Sequence, residues 1–183
     1  YGAVASAART DSLPKAKDAM TQLADRYAGT GYAPRAALLV AAMLFKSGDK
    51  AGAKSQLQFV IDKGDEDELK QIARFRLAEV MFDDKAFDDA LRTLDTRHDE
   101  PFAGIYADLR GDVLAAAGRG NDARVAYQTA LAKLDPKSPY RAYVQVKLDA
   151  LGGPLSAAPA PAAAPAAAPA ATPPAATPAA PAK

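Results

Sequence analysis

The chain has no cysteine, no tryptophan and a single histidine in 183 residues. Without cysteine there are no disulfides, no zinc knuckles and no thiol nucleophile. Such a chain fits an oxidising compartment. The one imidazole, His98, lies in Asp95-Thr96-Arg97-His98-Asp99-Glu100. It supplies one nitrogen where a metal site needs several ligands on fixed faces. A metal-dependent enzyme built on this loop is therefore a remote reading beside the plainer one, a solvated connection between helices. No Gly-x-Ser-x-Gly elbow and no glycine-rich phosphate loop is present, since Gly118 and Gly120 fall at an inter-helix turn. The sequence offers no catalytic, cofactor or metal residues.

An excess of either charge is also lacking. Lysine and arginine number 23 against 22 acids, with no basic stripe interleaved with aromatics, so nucleic acid is not an expected partner. The longest apolar run, Ala36 to Phe45, is too short to cross a bilayer and reads as a core helix. No signal peptide is visible. The chain opens at Tyr1 already in helix-like sequence, as a piece of a longer protein would.

From Pro154 to Lys183 the residues are almost all Ala and Pro. With no large apolar side chains to bury, such a segment does not offset the entropy of ordering its backbone. Repeated proline also interrupts helices in spite of the alanine. The expectation is a disordered, extended tail over 154–183 and a folded domain over 1–153.

What is present is a repeat. Four segments align on a small residue followed by larger ones: Ala16, Met20, Leu23; Ala53, Leu57, Val60; Ala90, Leu94, Arg97; Ala123, Tyr127, Ala130. The alanines recur 37, 37 and 33 residues apart, near the roughly 34-residue period of tetratricopeptide helix pairs. Ahead of the last three stand the small residues Ala41, Ala78 and Gly111, then the large Leu44, Met81 and Leu114. The same offsets reach Val4 and Ala7, so the first helix of the first pair is cut short. Small side chains are needed where two helices cross closely, and large ones fill the space beside the crossing. The predicted fold is all-α, a tetratricopeptide-like helical stack (an α-solenoid). Its units fall at about 1–30, 33–64, 67–99 and 102–135, with a capping helix over 139–151 whose stripe is Tyr140, Val144, Leu148 and Leu151.

Local signals agree. Gly48-Asp49 and the Gly118-Arg119-Gly120-Asn121 turn pair a helix-ending glycine with a capping type, and Pro34, Pro101 and Pro139 suit first turns. Asp65 with Glu68 predicts a capping box, which explains that acidic run without a bound cation. Three departures stand out: Lys85 where the other turns have glycine, and Arg97 and Arg110 at positions usually apolar.

The stretches Gln56–Asp62, Asp67–Leu69 through Arg76–Ala78, and Ile105–Asp112 resemble the YfgM family, ancillary subunits of the bacterial Sec translocon. The likeness spans Tyr1 to about Gly152. It implies an inner-membrane protein with one N-terminal transmembrane helix and a periplasmic repeat domain. Partners implied are the SecYEG translocon, a periplasmic chaperone such as PpiD, and translocating chains. The anchor has no counterpart within this chain, so attachment to the membrane rests on the resemblance. No catalytic residues come with the family. A tetratricopeptide scaffold for envelope assembly or cell division is the alternative.

The helix expected near Glu66 to Asp83 is apolar on two faces, so it is buried on both or offers one to a partner. If first helices line a groove, its positions are Ile72, Phe75, Glu79 and Phe82, with Arg35, Leu38, Ala42 and Phe45 before them and Ile105, Asp108 and Asp112 after. The competing reading is that these rings pack beneath neighbouring helices.

Overall fold

The computed structural model describes residues 1–27 and 30–152. Among these every regular element is a helix: α1 Gly2–Arg9, α2 Leu13–Tyr27, α3 Tyr32–Lys46, α4 Lys50–Lys63, α5 Asp67–Asp83, α6 Phe87–Leu94, α7 Glu100–Ala116, α8 Gly120–Lys133 and α9 Tyr140–Ala150. The helices pair antiparallel as α1/α2, α3/α4, α5/α6 and α7/α8, and α9 packs on α8. This is a tetratricopeptide-like stack. The Ala/Pro tail expected over 154–183 lies outside the described residues.

The crossings explain the small residues. Ala16, Ala53, Ala90 and Ala123 are wholly buried, as is Ala78, and the neighbours Met20, Leu57, Leu94 and Tyr127 are buried beside them. Gly111 shows how tight a crossing is: a Cβ built there would lie 2.4 Å from the Tyr127 ring. Two core clusters result. One joins α1 to α5 through Val4, Met20, Leu44, Leu57 and Leu77. The other joins α5 to α9 through Ala78, Leu94, Leu114, Tyr127 and Val144. α5 contributes Leu77 to one and Ala78 to the other, while Ile72, Glu79 and Phe82 on its other face stay part-exposed.

Turns follow the sequence signals with two corrections, the box expected before α5 and the cap expected at Asn121, which lies inside α8 behind an N-cap, Arg119, that makes no side-chain capping bond. Gly48 and Gly118 end their helices in left-handed backbone, and Lys85 adopts the same region at φ +60. That is an uncommon conformation for a residue with a Cβ, so the missing glycine is tolerated there at some strain. Asp49 caps α4 by accepting from the Gly52 N–H at 2.9 Å. The box expected from Asp65 and Glu68 does not form. The N-cap of α5 is Glu66, and no side chain accepts a capping hydrogen bond there. The Glu66 carboxylate is drawn away by Arg35, whose Nη2 donates to it at 2.6 Å, a stronger charge-assisted bond than a cap would give. Arg97 is explained by length. α6 ends at Leu94, so Arg97 lies beyond the helix and exposed. Arg110 turns outward to pair with Asp95.

Candidate partner-binding cleft

The first helices of three successive pairs, α3, α5 and α7, border a cleft of 640 Å³. Leu38 and Phe45 come from α3, Ile72, Glu79 and Phe82 from α5, and Asp112 from α7, with Leu57 of α4 at its floor. With Ala42 of α3, seven of the eleven residues placed in a groove by repeat register therefore converge. Phe45 is 39% exposed, and the Phe82 ring leans on Phe87 at 6.2 Å. The apolar character of α3 leaves this surface over after its other sides are buried in the stack.

The remaining four lie elsewhere. Arg35, in the first turn of α3, donates to Gly31 O at 2.9 Å as well as to Glu66, tying the starts of α3 and α5 together. Phe75 packs at the α5/α7 seam, 5.7 Å from the Tyr106 ring. Ile105 packs against the second core cluster. Asp108 is 2% exposed and engaged within the fold. Register brought these residues to one side of their helices, but neighbouring helices cover Asp108 and much of Phe75 and Ile105, while Arg35 is held at the start of α3 by Gly31 and Glu66.

What covers Asp108 is α9, through a residue that sequence reading passed over. The Lys147 ammonium donates to both Asp108 oxygens at 3.0 and 2.9 Å and to Asp112 at 2.7 Å. It lies 4.6 Å from the Tyr143 ring centre. Tyr140 donates its O–H to Asp108, and Tyr127 donates to the other Asp112 oxygen at 2.8 Å. Burial lowers the pKa of Lys147, but hydrogen bonds to Asp112 and Asp108 outweigh it, so the net shift is upward. Burial, reinforced by the facing carboxylates, also raises the Tyr127 and Tyr140 phenols. The signal in the sequence was Asp108 and Asp112 one turn apart on a largely buried helix, which demands a cation from elsewhere.

The Asp95–Glu100 loop has a structural task. His98 stacks on Tyr106 with ring centres 4.3 Å apart. The buried Gln71 side chain accepts from the Asp99 N–H at 2.6 Å and donates to the Asp99 carboxylate at 2.7 Å. Tyr106 donates its O–H to the Gln71 carbonyl at 2.6 Å, and burial pushes that phenol up to about 12. Among the described residues no three His, Cys, Asp or Glu side chains gather as a metal site. Nor is any described helix long and apolar enough to cross a membrane.

The family profile described as a tetratricopeptide repeat-like domain matches residues 1–153. A protein of Escherichia coli K12 named ancillary SecYEG translocon subunit is 31% identical over 146 residues, covering 80% of this chain and 68% of its own length. The chain belongs to the YfgM family. A second relative of the same name, from Neisseria gonorrhoeae, is 31% identical over 132 residues, 72% of this chain. The chain spans 63% of that relative's length, so it answers to a part of the longer YfgM proteins. The profile match over residues 1–153 includes the cleft and the Lys147 cluster.

Proposed function

We propose that this chain is a protein–protein interaction module, ancillary to the SecYEG translocon and acting without catalysis. Its repeat domain, 1–153, would stand on the periplasmic side of the inner membrane, linked to periplasmic chaperones such as PpiD. It would hold segments of those partners or of translocating chains. Membrane attachment would come from an N-terminal anchor outside this sequence. The observation that carries the reading is the apolar cleft between α3, α5 and α7, with aromatic rings of α3 and α5 on its walls. A few such rings commonly supply most of an interface's affinity. Family membership supports the choice of partner, since both relatives are named for the translocon. The acids at the cleft are paired, Glu79 with Arg76, Asp83 with Lys50 and Asp112 with Lys147, which suits binding better than proton transfer.

The test is site-specific photocrosslinking in native membranes. A photoreactive residue at Phe45 or Phe82 should capture SecYEG subunits or a chaperone bound to them, whereas one at exposed Gln58 on α4 should not. Equal yields from all three sites would remove the cleft from the binding role.

A further inference from the structure

We propose that the cleft takes an amphipathic helix carrying one lysine or arginine, and that Glu79 receives its charge. This rests on the cleft being the binding site and adds the chemistry of the occupant. The starting point is which charges at the cleft are committed across the fold. Asp112 is held by Lys147 of α9, and Asp83 by Lys50 of α4. Among the described residues Glu79 has only Arg76, three residues back on its own helix and itself at the cleft edge, whose side chain is 61% exposed. Such a pair contributes little and gives way readily to a better-placed cation. Glu79 itself is about two-thirds shielded beside Ile72, Phe82 and Leu38. A carboxylate half out of water against an apolar floor favours a cation that brings its own apolar stem, as lysine and arginine do.

The chain contains an instance of that ligand. Glu79 lies 33 residues before Asp112, as Ile72 does before Ile105, so Glu79 holds on α5 the repeat position that Asp112 holds on α7. At Asp112 the fold places a short amphipathic helix, α9. Its Val144 and Leu148 are buried, and Lys147 reaches the carboxylate at 2.7 Å. Two apolar side chains one turn apart with a lysine beside them thus satisfy this surface once already. Geometry favours a helix in the cleft as well. A helix brings side chains i, i+3, i+4 and i+7 to one face within about 10 Å of its length, where a strand places about two. A space of 640 Å³ bounded by three helices suits the denser presentation.

The experiment uses the full chain and labelled, stapled helical peptides of about 15 residues. Each has leucine and phenylalanine at i, i+3, i+4 and i+7 and either lysine or glutamate flanking that face. Fluorescence anisotropy at low salt should show the lysine probe binding about threefold or more tightly than the glutamate probe. Glu79→Gln should flatten the difference and Glu79→Lys should invert it, with thermal midpoints near wild type. Salt should compress the difference. Equal binding of both probes, unaltered in Glu79→Lys, overturns the charge selection while leaving the cleft as a binding site. Undiminished binding of an unstapled lysine probe with a central proline overturns the helical occupant. Binding of neither probe, while Phe45 and Phe82 still crosslink to the translocon, also overturns it. Loss of those crosslinks sinks the binding-site reading itself.

Discussion

Lys147 of α9 sits 2.7 Å from Asp112 of α7, and that same Asp112 forms part of the cleft wall. One carboxylate therefore serves both the closing of the stack and the lining of the cleft. Its companion Asp108 lies one turn earlier on α7 and is nearly inaccessible. Two acids this close, one of them buried, repel unless a cation lies between them. Lys147 is that cation, so α9 is held by charge as well as by Val144 and Leu148.

Removing the cation should expose the dependence. Lys147→Met keeps the apolar stem and leaves two facing carboxylates, one of them buried. Breaking a buried pair from one side costs about 3 kcal/mol. Chemical denaturation should show a loss of that order, and hydrogen exchange should rise along Tyr140–Ala150 before the rest of the chain. Protection of α9 equal to wild type would mean that its apolar stripe alone suffices.

The pH dependence has a definite sign. Lys147, Tyr127 and Tyr140 all have folded-state values raised above their ordinary 10.5 and 10.0. A group with a raised value contributes stability that is complete below its unfolded value and is lost as pH rises through the folded one. Attachment of α9 should therefore hold at neutral pH and weaken above about pH 10. Tyrosinate absorbance should show phenols titrating late, and together with the loss of helical signal. In Tyr140→Phe the late titration should shrink.

Phe75 and Phe45 should separate core from cleft. Phe75 packs at the seam against Tyr106, so Phe75→Ala should destabilise by about 2 kcal/mol, less than the loss for a fully buried ring. Phe45 is exposed at the cleft, and Phe45→Ser should stay within about 0.5 kcal/mol of wild type. The same pair should reverse order in crosslinking to the translocon, with Phe45→Ser losing more. If the melting midpoints fall in the opposite order, the assignment of the two rings is wrong.

Gly111 tests the closest crossing. Its absent Cβ would meet the Tyr127 ring at 2.4 Å, and that ring is buried, with its O–H bonded to Asp112. Gly111→Ala gains helix propensity but must displace the ring, and overpacking of this kind costs about 1–3 kcal/mol. Gly120→Ala, which nothing within 4 Å would hinder, is the control and should be neutral or slightly stabilising. A stabilised Gly111→Ala by denaturant titration would show that the α7/α8 contact has slack.

The repeat was legible because its cause is local and periodic. Ala53, Ala90 and Ala123 mark crossings, since only a small side chain fits where two helices meet, and each crossing recurs at nearly the same spacing. Periodicity also placed Leu38, Phe45, Ile72, Glu79 and Phe82 on one side of their helices, where the cleft lies. It did not separate Phe75 from Phe82, or Asp108 from Asp112, because residues one or two turns apart share a face whether or not a neighbour covers it. Coverage depends on where α7 and α9 lie against α5 and α7, and that is set by packing between elements far apart in sequence. Asp108 meets its lysine 39 residues away, and where Asp65 and Glu68 promised a capping box, the N-cap is Glu66, whose carboxylate is taken by Arg35, 31 residues earlier. The sequence by itself determined a stack of paired helices with small residues at the crossings, since steric fit and hydrophobic period are properties of short segments. Only the tertiary structure decided which acids are paired across the fold and which, like Glu79, pair only along their own helix at the cleft, since pairing of charges requires both groups in place.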